Sequence, residues 1–311
     1  MSTQLTLELG QDDASITPEL TSTPKGYKGL YAFHKYWGKK PHEPIAYIIE
    51  RLTSPGDVVL DPFVGSGPVA REALLRSRKF LGFDINPVAV ELTNLLSRPP
   101  LKQNIARAAR HIEEQAKSRI LQSYLLPDRT TSATHYLWDG PSLVKIWVTD
   151  GRRRRRELEP TEHDRATSAK YADYRATRIR PPRFFSNSRI NSSPTMSLDN
   201  LFTGRAQRNI DLLLEAIQGC GSINTPALML CLTAASGQMT KMVFAVTGRG
   251  KTTGSRSDSI EVGSWVIGYW CPRLHFEVNV WHCFERRLKK LQAALAVECF
   301  PQVLKIVGKP Q

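Results

Sequence analysis

The chain is poor in the residues that staple small secreted folds or hold metals. Five cysteines (Cys220, Cys231, Cys271, Cys283 and Cys299) are an odd number without a C-x-x-C pair. That argues against a disulfide framework and a structural zinc site, and predicts buried or inert thiols. Histidines 34, 42, 111, 135, 163, 275 and 282 include no pair at a spacing such as H-x-x-x-H, so no metal cofactor is implied. No run of about 18 apolar residues occurs, and the stretch MSTQLTLELGQDDAS is polar and acidic rather than a basic lead into an apolar segment. No transmembrane span or signal peptide is visible, and a cytoplasmic location is expected. Internal repeats, a serine-hydrolase elbow and paired catalytic carboxylates are likewise missing.

What the chain has is core-forming material and a basic excess. Of its 311 residues 41% are hydrophobic and 23% charged, near globular averages, which excludes a disordered or collagen-like chain. The net charge of +14 points to a polyanionic partner, most commonly nucleic acid.

Four regions are expected. Residues 1–28 lack a sustained hydrophobic period and read as a tail. Residues 29–125 alternate helix and strand patterns: helix over 43–52, strand 57–60, a Gly-rich loop, helix 69–76, strand 79–83, helix 88–96 and an Arg-spaced helix over 104–121. Residues 126–200, with the run Arg152 to Arg156, show little apolar periodicity and read as an irregular basic insertion. Residues 201–311 regain order, with helices over 205–217, 226–235 and 284–296, and strands at 241–246, within 260–269 and at 275–280.

The chemistry concentrates in one loop. Residues 58–67 (VVLDPFVGSG) place Asp61 at the carboxyl end of a strand and two glycines, Gly65 and Gly67, just before a helix. In an open α/β sheet that position is the crevice where cofactors bind, and glycines there admit close backbone approach. A second strand should then end in an acid that holds a ribose, and Asp84 in FLGFDINP meets that requirement. Ala70 stands where a third glycine of G-x-G-x-x-G would fall, so spacing alone leaves a nicotinamide dehydrogenase open.

DPFVGSG resembles the D-P-F-x-G-S-G cofactor loop of the S-adenosylmethionine-dependent DNA amino-methyltransferases, which methylate adenine N6 or cytosine N4. Upstream, HKYWGKKPH (34–42) is similar to the segment preceding that loop in the family, with Lys40-Pro41 its most recognisable pair. The resemblance implies that Asp61, Pro62, Phe63, Gly65, Ser66 and Gly67 shape a pocket around the methionine end. Asp84 would accept from the ribose hydroxyls, and Ile85 and Pro87 would line the adenine. The alternative for His34, Tyr36 and Trp37 is an aromatic core cluster. Farther on, SLDNLFTGR (197–205), SWVIGYW (264–270) and FEVNVW (276–281) are similar to one branch of the family, although only the first third is specific. The Trp-rich stretch reads either as a hairpin filling a sheet core or as a base-stacking surface.

The resemblance thus implies a Rossmann-like class I methyltransferase sheet with the insertion above, S-adenosylmethionine as cofactor, DNA as substrate, and restriction-modification or another DNA-marking role. The family's second motif, an acid, amide or serine followed by Pro-Pro and an aromatic, is missing. The nearest string, Arg180-Pro181-Pro182-Arg183-Phe184, begins with a cation that cannot accept a hydrogen bond. The sheet is therefore expected to be incomplete and the catalytic residues cannot be named. A split enzyme completed by a second polypeptide, a truncated product and a cofactor-binding relic all stay open, as does a non-catalytic DNA-binding subunit.

Two further signals concern phosphate. AVTGRGKT (245–252) fits a relaxed phosphate-loop pattern, but the following TGSRSDS has loop composition where that motif needs a helix. An exposed basic loop touching a DNA backbone through Arg249, Lys251 and Arg256 is the favoured reading. The run Arg152, Arg153, Arg154, Arg155 and Arg156 reads either as a solvated cluster or as a phosphate contact.

Overall fold

A computed structural model describes residues 26–149, 154–246, 260–263 and 268–297. Within them the chain is a mixed α/β protein with small sheets, divided into two compact units. The first comprises residues 26–28 and 36–97, the second residues 29–35 and 98–297. Residues 98–125, expected with the cofactor-binding part, cluster with the second unit.

The first unit is a βαβ motif with flanking helices: α1 (His42–Leu52), β1 (Val58–Asp61), α2 (Pro68–Leu75), β2 (Lys79–Gly82) and α3 (Pro87–Ser97). Strands β1 and β2 pair in parallel, Val58 opposite Lys79 through Asp61 opposite Gly82. Proline at the first position of α2 and α3 costs no hydrogen bond, because that N–H has no intrahelical partner. The Asn86 side chain accepts from Val88 N at 3.0 Å and starts α3. Buried Arg71 spans the unit by donating to Leu96 O at 3.0 Å.

This parallel pair is a sheet of two strands. Val58 (61% exposed), Leu60 (59%), Leu81 (50%) and Phe83 (56%) show large apolar side chains to solvent, whereas parallel sheets are normally covered on both faces. Of the parallel sheet expected, the described residues show one crossover of two strands.

The second unit is built on helices and an antiparallel sheet. Helix α4 (Lys102–Ile112) continues through a π-turn (Glu113–Lys117) into α5 (Ser118–Leu121). The four-stranded sheet has the order β5-β4-β3-β8, from β3 (His135–Asp139), β4 (Ser142–Thr149), β5 (Arg155–Leu158) and β8 (Leu274–Val278). Three of these strands and α6 (Glu162–Lys170) lie in the region read as an irregular insertion, and that reading is corrected here. Strand β4 buries Ile146, Trp147 and Val148 in succession, so both its faces are covered and alternation is lost. Its ladder also reaches β8, more than a hundred residues away, through β3. Irregular structure does hold over 171–197, tied down where Tyr174 Oη, Thr177 N and Arg178 N donate to the buried Asp211 carboxylate at 2.7–3.2 Å.

Helices α7 (Leu198–Leu201), α8 (Gly204–Gln218), α9 (Thr225–Ser236) and α10 (Val280–Ala296) supply most of the remaining core, and β6 (Ala245–Val246) pairs with β7 (Glu261–Val262). The α8 cap is Thr203, whose Oγ1 accepts from Ala206 N at 3.1 Å; that of α10 is Asn279, accepting from Trp281 N at 3.0 Å. Of the Trp-rich stretch, 264–267 lie outside the described residues; beyond it β8 pairs with β3, and Trp281 enters α10 as a buried residue. Trp270 is exposed and packs on Phe244, with ring centroids 5.6 Å apart. Of the thiols, Cys231 and Cys283 are buried and burial raises both pKa values, to about 12 for Cys283. Cys271 is exposed, with desolvation raising its pKa, and Cys299 lies outside the described residues.

Candidate cofactor and nucleic-acid sites

The DPFVGSG loop leaves β1 and enters α2, and FLGFDINP leaves β2 and enters α3, so both motifs emerge at the carboxyl ends of adjacent parallel strands. They are bonded to each other. Gly65 N donates to Asp84 Oδ2 at 2.9 Å, Asn86 N donates to Asp84 Oδ1 at 2.8 Å, and Val64 N donates to Phe83 O at 3.0 Å. Asp61 Oδ1 accepts from Phe63 N at 3.0 Å and sets the turn out of β1.

The two glycines have different work. Gly67 is left-handed (φ +82°), and a Cβ there would lie 2.7 Å from Thr93 Cα, so a side chain would displace the α3 backbone. Gly65 is also left-handed (φ +52°), but its Cβ would make no contact shorter than 3.4 Å, to the Tyr36 ring. Gly67 therefore serves helix packing, while Gly65 faces the aromatic of the upstream segment.

Of the other residues expected to hold cofactor, Ser66 is buried, Pro62 and Pro87 are exposed, and Phe63 (84%) and Ile85 (101%) project fully from the crevice. Pro41 stands at the amino end of α1 in extended conformation beside exposed Lys40. The HKYW residues do not form an aromatic core. Trp37 is exposed, Tyr36 lies by Gly65, and His34 belongs to the second unit, its Nε2 3.1 Å from Thr233 Oγ1.

The basic candidates divide. Arg152, Arg153, Arg249, Lys251 and Arg256 lie outside the described residues. Exposed Arg154 precedes β5, and exposed Arg155 and Arg156 lie on that edge strand. Arg155 has structural work: its guanidinium sits 4.1 Å from the Trp147 ring centroid, Nη2 is 3.0 Å from Glu157 Oε1, and Nη1 donates to Ile260 O at 2.8 Å. Arg180 to Phe184 carry no regular secondary structure and lie in the second unit, where Phe184 packs edge-on against Tyr269 at 5.3 Å.

A family model described as DNA methylase matches residues 14–95, the stretch that contains both motifs. This segment matches the N6/N4 DNA methylase family. The chain is 47% identical over 47 residues to type II methyltransferase M.BglI of Bacillus subtilis, covering 15% of this chain and 14% of that protein. It is 43% identical over 54 residues to type II methyltransferase M2.DpnII of Streptococcus pneumoniae, covering 16% and 20%. It is 39% identical over 54 residues to DNA adenine methyltransferase YhdJ of Escherichia coli strain K12, covering 17% and 18%. The chain thus spans a fifth or less of the length of these methylases. No solved structure matches. Among the described residues, no helix is long and apolar enough to cross a membrane.

Sequence reasoning missed a second constellation, in the other unit. Arg205 of α8 and Glu277 of β8 form a buried ion pair beneath a cavity of about 320 Å³ bounded by Trp138, Ser168, Phe202, Lys241 and His275. These residues are scattered over more than a hundred positions, and only the fold unites them.

Proposed function

We propose that the chain holds S-adenosylmethionine for a DNA methyltransferase acting on adenine N6 or cytosine N4, in a restriction-modification or related DNA-marking role. The observation that carries this reading is the Gly65 N–Asp84 Oδ2 hydrogen bond, which joins the two motifs in one crevice. The residues present fit the cofactor. A carboxylate offers about four lone-pair positions, and two backbone amides occupy Asp84, leaving acceptor capacity for a pair of hydroxyls. Phe63, Ile85 and Pro87 offer exposed apolar surface for an aromatic ring, and Asp61, Gly65, Ser66 and Gly67 shape the loop beside it.

When bound, the cofactor supplies an electrophilic methyl group on a sulfonium. The chain's own residues position it: Asp84 fixes the ribose end, Asp61 holds the turn at Phe63, and Tyr36 packs at Gly65. Orientation of this kind is the main contribution a protein makes to a transfer between two bound reactants. Exposed Arg154 and Arg156, with the +14 charge, support backbone contact to DNA.

The uncovered β1–β2 face and the cations that precede both Pro-Pro strings, Arg98 before Pro99-Pro100 and Arg180 before Pro181-Pro182, support a further proposal. The base-holding motif and the rest of the sheet are supplied by additional polypeptide. Titration calorimetry with S-adenosylmethionine tests the core of the reading. Binding is expected in the native chain and is lost in Asp84→Ala. A folded sample that binds DNA but no cofactor overturns the methyltransferase reading in favour of a non-catalytic DNA-binding subunit.

A further inference from the structure

The string Arg180-Pro181-Pro182-Arg183-Phe184 plays no part in the cofactor reading, and it belongs to a segment of one-sided charge. Residues 174–198 hold five arginines and no aspartate, glutamate or lysine. Two of the five are engaged within the fold. Arg175 Nε lies 2.8 Å from Asp199 Oδ2, and Arg178 Nη2 lies 3.7 Å from Glu215 Oε1. Arg180, Arg183 and Arg189 are exposed, and among the described residues no carboxylate stands within ion-pair distance of them. Phe185, between Arg183 and Arg189 in the chain, is 62% exposed.

Residues 180–186 have no regular secondary structure, yet the segment is fixed on both sides of them. Before them, Ala176 N donates to Gln207 Oε1 at 2.9 Å and Thr177 N to the buried Asp211 carboxylate at 2.7 Å, both acceptors on α8. After them, Asn187 and Ser192 exchange two backbone hydrogen bonds of 3.0 Å, and Ile190 O accepts from Tyr269 N at 2.7 Å. The second contact needs Gly268, which is left-handed (φ +76°) and whose Cβ would lie 2.7 Å from Ile190 O. Within the string, Pro181 and Pro182 fix two backbone angles, and Phe184 is held by the Tyr269 ring. A loop ordered in advance loses little entropy when it binds.

Exposed arginines without acidic neighbours fit a polyanion, and the form of the segment selects the surface. The major groove of DNA is read by a helix or a two-stranded ribbon, and residues 180–186 form neither. Irregular arms carrying arginine enter the narrower minor groove, where an apolar side chain can wedge between stacked base pairs. A single exposed aromatic is ordinary on a protein surface. Phe185 differs in standing on an anchored backbone among arginines that have no internal counter-charge.

We propose that residues 180–189 enter the minor groove of duplex DNA, with Phe185 wedged between two stacked base pairs and Arg180, Arg183 and Arg189 against the flanking phosphates. The wedge opens one base step and bends the duplex while its pairs stay intact. Pyrimidine–purine steps unstack most readily, so the segment favours DNA that carries one. The inference rests on the reading that the chain acts on DNA, and is independent of the cofactor crevice.

The test measures affinity of the full chain, and energy transfer between dyes at the two ends, on a duplex of about 25 base pairs with a central TpA step. The native chain is expected to bend this duplex by at least about 20°, and a minor-groove-binding polyamide such as netropsin should displace it. Phe185→Leu keeps the bend, whereas Phe185→Ser loses both the bend and the preference for TpA. Both variants change a side chain that already meets water, so melting should be unaltered. Arg180→Ala, Arg183→Ala and Arg189→Ala should each lower the salt slope by about 0.9. Duplex bound without a bend, a bend that survives Phe185→Ser, or indifference to the polyamide overturns the wedge but leaves the DNA reading intact. Tighter binding of the same sequence as duplex RNA, with the Phe185 dependence kept, overturns the choice of DNA as partner. No binding to any duplex overturns both readings. Because bending and displacement are measured on the native chain, the result does not depend on a variant folding.

Discussion

Arg205 Nε lies 2.8 Å from Glu277 Oε1, and the two side chains are only 2% and 1% exposed. The guanidinium also donates to Ser123 O and Ser168 Oγ and sits 4.1 Å from the Tyr136 ring centroid, while burial pushes the Tyr136 pKa up to about 12. Helix α8 is thereby fixed to the central antiparallel sheet by one fully bonded cation.

Arg205→Met is expected to cost about 3–5 kcal/mol, because it leaves a buried carboxylate without its counter-charge. Adding Glu277→Leu should restore much of that loss, since the desolvation problem leaves with the second charge. Urea unfolding of both variants makes the comparison. A single variant that loses under about 1 kcal/mol, as an exposed pair would, contradicts the role assigned to the pair.

The glycines of the cofactor loop should separate in a second experiment. Gly67→Ala combines a left-handed backbone with a contact on Thr93 Cα and is expected to destabilise by about 2–4 kcal/mol. Gly65→Ala makes only ordinary contacts, with the Tyr36 ring and Phe63 O, and should cost about 1–2 kcal/mol. Thermal melts rank the two, and equal effects would mean that α3 yields at Thr93.

These positions also show what was legible in the sequence. The acid-glycine loop and the second acid declared a parallel crossover because each residue has a local reason to be there, and the helices around them follow from proline starts and apolar periodicity. The antiparallel sheet was hidden. Its strand β4 is buried on both faces, the arginine run beside it reads as solvated, and its partner β8 is distant in the chain. Arg205 and Glu277 were equally illegible, since pairing across 72 residues leaves no spacing to recognise.

Acid should weaken the second unit. His135 is packed between Trp147 (5.4 Å) and Phe276 (5.9 Å), and burial lowers its pKa to about 4, with His282, Arg286 and Arg155 adding repulsion. Between the ordinary histidine value near 6.5 and about 4 the unfolded chain binds a proton that the native chain refuses. Stability is therefore full above that window and falls as pH drops through it. His275 and His282 are lowered by burial too and act in the same direction. Denaturant midpoints at pH 7 and pH 5, compared between native chain and His135→Phe, measure the share of His135. An unchanged difference would assign the slope to the other two.

Neighbouring arginines on β5 should give opposite signatures. Arg156→Ala is expected to leave stability within about 0.5 kcal/mol. It should weaken binding to every DNA sequence and lower the salt slope by about 0.9 for a lost phosphate contact. Arg155→Ala removes the Trp147 contact and the bond to Ile260 O, so its main effect should be on unfolding. A salt slope unchanged in Arg156→Ala would make this part of the run a solvated surface.

The β1–β2 pair exposes Val58, Leu60, Leu81 and Phe83, and an apolar strand face of this kind is kept out of water by association when nothing else covers it. The native chain should therefore show concentration-dependent association in sedimentation velocity. Leu60→Lys with Leu81→Lys replaces side chains that are already half exposed, so melting should change little while the association disappears. If the native chain sediments as one species at all concentrations, no self-association through this face exists. If the double variant unfolds instead, those two leucines are covered within the folded chain, and the need for additional polypeptide over the sheet falls away.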